Sequence, residues 1–302
     1  QRLFLQNLAM SLMNFKFRDE DSKSVSATQR AINKAHNVQV HKRVTKFIEA
    51  AWRAIFYSTF LYFAYIALVP NGEVEPWMYV TLDMWKGWPH HTFSSDFRFF
   101  YILELGCYLH QLLWTEVKRD DAVEMIIHHI VTILLISFSL MCNFLRIGAA
   151  IIVLHDSADV FLELAKCFNY MYKNGKRKWA SPVCDFLFAC FAIVFFYTRL
   201  YLYPYYILYS VVYEGPTLGG WWSGLYFYAA LLFMLQVLHI FWFSRIATMI
   251  YQMFTTGIEK DERSDDEGEE DLVFDESVPA TEALGSAPAD GSTPRRSLRK
   301  RK

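Results

Sequence analysis

The chain has 302 residues, 54% hydrophobic, 18% aromatic and only 20% charged, against roughly 25% charged residues for a soluble domain of this size. Its net charge of −1 divides unevenly: residues 257–302 hold 13 acids and 8 bases, and the remainder holds 18 acids and 22 bases. Residues 125–145 and 221–244 lack Asp, Glu, Lys and Arg altogether, each enough for a bilayer-spanning helix of about 20 residues, which excludes a single soluble domain and a disordered chain.

Residues 1–45 are polar and mixed, with one weakly apolar stretch at 3–13 that is too short to span. The chain starts with Gln1 rather than Met, so this segment is expected to be truncated, with a signal sequence or earlier helix ahead of it. The first candidate span is 54–69, between Arg53 and Pro70. A loop follows with Trp77, Trp85, Trp88, His90 and His91, residue types that suit a membrane–water boundary. The second candidate, 99–115, carries Glu104 and His110; the third is 122–145. The fourth, 147–172, contains Asp156, Asp159, Glu163 and Lys166. The fifth runs from 183 to about 203, ending near Arg199 and Pro204, and the sixth is 221–248. All five cysteines lie in apolar runs, too sparse for a disulfide scaffold.

These elements predict an all-α, polytopic membrane protein, a bundle or barrel of at least six transmembrane helices over residues 46–254. Residues 255–302 read as a disordered tail. The block 259–276 has 11 acids and 2 bases and cannot bury enough surface to fold; a Pro/Ala/Gly/Ser linker and the basic end Arg299-Lys300-Arg301-Lys302 follow. Lys42, Arg43, Lys46 and Arg53, then Lys118 and Arg119, then Lys173, Lys176, Arg177 and Lys178 fall on alternate loops. Positive-inside sorting therefore puts both termini in the cytosol, with Arg146 running against the pattern.

Charges inside a bilayer are expensive and mark function by default. In the fourth span His155, Asp159, Glu163 and Lys166 share one helical face, with Asp156 about 100° round. An ion pair of Glu163 with Lys166 accounts for two of these residues and leaves two carboxylates and a histidine. In the third span Asp121, Glu124, His128, Thr132 and Ser139 form a polar stripe, with His129 beside it. The short connection makes the two helices antiparallel neighbours. Equal depth then sets His128 level with Glu163 and Thr132 with Asp159, with His155 deeper. At ~1.5 Å per residue, His128 lies about 10 Å below the Asp121 surface. Two His and two Asp could hold one zinc, but HxxxH and HxxHH spacings are absent, and no metal is expected. Acid–base or nucleophilic chemistry uses every residue: a carboxylate raises the basicity of an imidazole, and a neutral His can attack a thioester and carry the acyl group.

The runs Lys118-Arg119-Asp120-Asp121, Met125-Ile-Ile-His128-His129-Ile-Val-Thr132, Arg146-Ile-Gly148 and Leu154-His155-Asp156-Ser157-Ala158-Asp159-Val-Phe-Leu-Glu163-Leu-Ala-Lys166 resemble the longevity-assurance motif of the ceramide synthases, in the TLC-domain superfamily. The opening Thr45-Lys46-Phe47-Ile-Glu49-Ala-Ala-Trp52-Arg53 is similar to the start of that domain, and the resemblance covers about residues 44–250. It departs at Arg119-Asp120-Asp121, where the family pattern has Arg-Lys-Asp. The resemblance implies transfer of a fatty acyl chain from acyl-CoA to the amine of a sphingoid base, giving ceramide or dihydroceramide. His128 would be the primary base or acyl-accepting nucleophile and His129 its second, with Asp156, Asp159 and His155 completing the catalytic set. Glu163, Lys166, Arg199 and Thr132 would meet substrate. No cofactor is implied beyond acyl-CoA as co-substrate; the partners are acyl-CoA, a sphingoid base, membrane lipids and a homo- or hetero-oligomer, with no nucleic acid. The basic end resembles retrieval signals of the endoplasmic reticulum, placing the protein in that membrane, and region 205–220 is associated in the family with acyl-chain length. The alternative is a non-enzymatic TLC-domain protein that binds lipid or assists translocation; such relatives generally lack the paired His and the His-Asp-x-x-Asp together. A transporter is disfavoured, because internal repeats and matched Gly/Pro-interrupted helices are absent.

Overall fold

Residues 2–13, 16–18, 26–69, 75–113, 121–175 and 177–255 are described by the computed structural model of the protein. The described residues are helical apart from short connections: α1 (Arg2–Leu12), α2 (Ala27–Leu68), α3 (Ser95–Leu113), α4 (Ala122–Cys142), α5 (Leu145–Gly175), α6 (Ala180–Phe195), α7 (Gly215–Gly219) and α8 (Ser223–Thr255). The chain divides into two compact units. In the smaller, formed around residues 17–40, Asn37 brackets the Arg18 backbone, accepting from its N–H at 2.8 Å and donating to its carbonyl at 2.9 Å. The larger unit holds the helices that build the site.

Each long helix presents a buried stripe at helical spacing. On α2 the stripe is Phe47, Ala50, Ala54, Phe60, Ala64 and Leu68, while Trp52, Ile55, Tyr62, Tyr65 and Ile66 lie exposed. The alanines leave room for neighbouring helices to approach closely. On α4 the outer face is Val123, Ile127, Ile130, Leu134 and Met141, and the inner face includes His129, Thr132 and Ser139. Apolar outside and polar inside inverts the pattern of a soluble protein. Three helical stretches, Ala122–Cys142, Ala180–Leu218 and Ser223–Met253, are long and apolar enough to cross a membrane. The other three long helices, α2, α3 and α5, overlap the remaining candidate spans and carry the internal charges other than Arg199.

Three expectations change. The first span is the second half of a longer helix, since α2 runs unbroken through the boundary expected at residue 45. The third ends at Cys142, because Asn143 takes a left-handed conformation (φ 59°) that turns the chain into α5. The fifth continues past Pro204 to Gly219, so 205–219 is helix, not loop. Proline removes one N–H and crowds the preceding turn; here the helix widens into π geometry over Phe196–Leu208 and Ser210–Glu214 and continues. Arg199, Tyr203, Ile207 and Val211 face inward. Tyr197, Tyr201, Tyr205 and Tyr209 form an outward ladder of stacked rings, which Tyr213 extends with a tilted one.

The tryptophan loop packs as a cap on the bundle. Trp77 and Trp85 are buried. Trp85 donates to Ser210 Oγ at 2.7 Å, and Trp88 to the Cys142 carbonyl at 2.8 Å. Arg146, the charge that ran against the topology, donates to the carbonyls of Asp83 (2.8 Å) and Lys86 (3.2 Å) and lies over the Trp77 ring. Its position is thus fixed by the cap. Lys118, Arg119 and the acidic–basic tail lie outside the described residues.

Next to the cap, α3 and α5 cross with no room for a side chain at Gly148: an added Cβ would collide with the Tyr101 hydroxyl and press on Ser139. Tyr101 and Ser139 are hydrogen-bonded and fully buried, so neither can swing away. Gly148→Ala should destabilise the protein by about 1–3 kcal/mol, the cost of overpacking a tight core. Adding Tyr101→Phe, which removes the colliding oxygen, should recover part of it; thermal unfolding in detergent measures both.

Candidate active site

Five elements of the larger unit bring polar side chains to one place. From α4 come His128, His129 and Thr132; from α5, His155, Asp156 and Asp159; from α3, Glu104 and Tyr108; from the π-helical stretch, Arg199 and Tyr203; from α8, His239 and Trp242. His129, Thr132, His155, Asp156, Arg199, Glu104 and His239 are all buried. The spacing on α4 sets His128 and Thr132 one turn apart on the inner face, with His129 turned toward α3 and against the Tyr108 ring (centroids 6.2 Å).

The His128 ring is walled on four sides: Trp242 edge-on at 5.2 Å, His129 at 5.6 Å, His155 stacked at 6.2 Å and Tyr108 at 6.5 Å between centroids. Its Nδ1 is buried and has no hydrogen-bond partner; the same holds for His129 Nδ1 and Thr132 Oγ1. His155 differs. Its Nδ1 lies 2.7 Å from the Ile151 carbonyl and its Nε2 lies 2.7 Å from His239 Nε2. A carbonyl only accepts, so Nδ1 carries the hydrogen; in the neutral ring Nε2 is then bare and accepts from His239. Both His155 nitrogens are engaged, and its ring serves as the surface on which His128 lies.

Arg199 binds Asp159 Oδ1 at 2.8 Å and the His155 carbonyl at 3.0 Å, and its guanidinium lies 4.5 Å over the Phe195 ring. This cation thus neutralises Asp159 and ties α5 to the π-helical stretch. Glu163 pairs with Arg53 (3.1 Å) and Lys166 (3.2 Å), so the ion pair that explains two residues of α5 exists, with a third member from α2. Asp156 turns toward Glu104, the two side chains hydrogen-bonded carboxyl to carboxyl. Thr132 and His155 line a small apolar cavity of about 10 Å³, room for a single water-sized sphere, together with Leu135, Ile152 and Leu235 and, at its other end, Tyr101, Gly148 and Tyr228. At ~1.5 Å per residue, His155 to Gly148 is about 10 Å along α5.

The expected depth register differs. His128 sits beside His155, not Glu163, and the latter lies eight residues, about two turns, further along α5. The connection between α4 and α5 is only Asn143 and Phe144, and counting outward from it ignores the tilt with which the two helices separate. His239 and Trp242 were missed because the apolar run 221–244 shows no charge and no motif. Their three-residue spacing on one helix face was the available signal. Among the described residues no group of three or more His, Cys, Asp and Glu is arranged to hold a metal.

A histidine with a vacant nitrogen inside a helical membrane core, stacked on a residue that lines a small apolar cavity, is an arrangement capable of acid–base or nucleophilic chemistry. Residues 46–248 match the TLC domain. Ceramide synthase 4 of Homo sapiens is 38% identical over 86% of this chain and 64% of its own length. Ceramide synthases LOH1 and LOH2 of Arabidopsis thaliana are 32% and 30% identical, over 79% and 81% of this chain and 81% and 82% of their own. The chain belongs to the TLC-domain family, among the ceramide synthases, and is a multi-pass membrane protein. It spans just under two thirds of the length of the ceramide synthase 4 relatives it matches.

Arg199→Met strands the Asp159 carboxylate inside the bundle. Because Asp159 is 22% exposed, the expected loss is about 3 kcal/mol, the low end for breaking a buried pair. The double variant Arg199→Met/Asp159→Asn should recover most of it, since no unpaired charge remains; thermal unfolding of the two variants is the comparison.

Proposed function

We propose that the protein is a ceramide synthase, transferring a fatty acyl chain from acyl-CoA to the amine of a sphingoid base. The observation that carries this reading is the vacant Nδ1 of His128, whose ring lies on His155 at the edge of a small apolar cavity. Both substrates are amphiphiles, and a site with its reactive group inside the bilayer lets each keep its alkyl chain in hydrocarbon. The amine nitrogen attacks the acyl carbonyl carbon, the carbon–sulfur bond breaks, and the proton lost by the amine passes through imidazole to the departing thiolate. His128 is the proton carrier or the acyl-accepting nucleophile. His129, its Nδ1 also vacant, is the second polar group at the reacting centre, and Thr132 lines the cavity beneath. Asp159 and Arg199 act by holding α5 in place, His155 by supporting the His128 ring, and Glu163 with Lys166 by closing the α2–α5 contact. No metal takes part in a step of this scheme, and acyl-CoA is the co-substrate.

His128→Ala should lower ceramide formation from labelled acyl-CoA and sphinganine by about 10²–10⁴-fold while the protein remains folded in the membrane. Retention of more than about a tenth of the wild-type rate lies outside that range and would remove His128 from the mechanism. Mass spectrometry of protein held with acyl-CoA alone separates the two routes, since only the covalent one adds an acyl mass to a histidine.

The positive-inside pattern supports six spans with both ends of this chain in the cytosol, and the basic end supports the endoplasmic reticulum as its membrane. Protease added to sealed microsomes should remove the tail beyond Gly257; a protected tail overturns the orientation.

A further inference from the structure

Internal charges balance in two places in the larger unit and fail to balance in a third. Arg199 answers Asp159, and Arg53 with Lys166 answers Glu163. Glu104 and Asp156 remain. Each is only 1% exposed, they meet carboxyl to carboxyl between α3 and α5, and the cation whose charge reaches Asp156, Arg199, is already bonded to Asp159. Two carboxyl groups hydrogen-bonded to each other hold at least one proton between them, so the pair carries at most a single negative charge, which a bound cation would favour. A lone charge surrounded by hydrocarbon is costly unless a counter-charge meets it. Oxygens remain for such a partner: Glu104 Oε1 and Asp156 Oδ1 are buried without a hydrogen bond.

The surroundings indicate which cation fits. Thr132 Oγ1, buried and without a partner, lines the same apolar cavity as Tyr108. Tyr108 lies one turn beyond Glu104 on α3 and packs against His128 and His129, so the carboxyl pair and the two imidazoles share one wall. A metal ion is a poor match, since the described residues offer no group of three metal-ligating side chains. A primary ammonium on an alkyl chain matches on each count: one positive charge, three N–H donors for the vacant oxygens, and a tail that stays in hydrocarbon.

We propose that Glu104 and Asp156 together form the seat of the long-chain base's primary ammonium group, which makes Glu104 a substrate-binding residue of α3. The assignment rests on the ceramide synthase reading and names the acceptor half of that site. Glu104 supplies the shared proton that keeps Asp156 oriented, and the pair's net charge holds the amine near His128 before the proton is lost.

Initial rates of purified full-length protein are measured with sphinganine varied at saturating acyl-CoA, and then the reverse. The double variant Glu104→Gln/Asp156→Asn keeps shape and hydrogen bonding but removes the charge. It should raise the KM for sphinganine roughly tenfold or more, the worth of one charge-assisted hydrogen bond, and leave that for acyl-CoA unchanged. A long-chain diol without the amine should inhibit wild type and double variant equally. An unchanged sphinganine KM in the double variant, or equal rises for both substrates, overturns the proposal. Wild-type protein that makes no ceramide instead strikes the parent reading. If the double variant does not fold, inhibition of wild type by the amine and by the diol decides: equal potency of the two overturns the ammonium seat.

Discussion

A charge within the hydrocarbon has to be met by another charge or by backbone dipoles, and the arrangement of this bundle follows from how Arg199 meets that demand. Its guanidinium takes Asp159 and the His155 carbonyl and lies on Phe195. Arginine suits the position because its planar, weakly hydrated head can bond at the edge and stack on its face together. The carbonyl it holds belongs to the residue whose ring contacts His239 on α8 and supports His128 on α4. Four helical elements are therefore connected through one cation and one histidine, and the outer faces are left free to be apolar.

The widened helix after α6 serves the same arrangement. It carries Arg199 and Tyr203 into the site and, further on, sets Ser210 and Glu214 beneath the cap, where Trp85 and Thr81 donate to them. One continuous element thus joins the buried charges to the end of the bundle at which the cavity closes. The cap adds a second anchor through Asn143, whose side-chain amide donates to the Pro89 and His91 carbonyls. The α4–α5 turn, and with it the angle between the two motif-bearing helices, is held from outside.

Much of this is legible in the sequence for physical reasons. Charge-free runs of membrane length identify α4 and α8, and intramembrane His, Asp and Glu on two adjoining helices identify the site, because such residues are rarely placed there without use. The depth of His128 against α5 was not legible, since helix tilt is set by packing partners that a pair of helices considered alone does not contain. Pro204 reads as the end of a span, yet the π geometry carries the helix past it, and the chain stays helical to Gly219. His239 and Trp242 fall in a run that is informative as a span and therefore uninformative about which of its residues face inward. Glu104 stood out as an intramembrane acid, but its partner Asp156 is on a helix that the sequence does not place beside α3.

The central claim is that the acyl carbonyl meets the His128 imidazole while the chain enters between the helices at the small apolar cavity beside Thr132 and His155, which widens to admit it. It is tested most directly by photolabelling the intact protein with an acyl-CoA bearing a diazirine near the methyl end, then mapping the adducts by mass spectrometry. The account predicts labels on cavity-lining residues such as Leu135, Ile152 and Leu235, displaced by unlabelled acyl-CoA. Labels confined to the outer residues Val123, Leu134 and Val237 would contradict it.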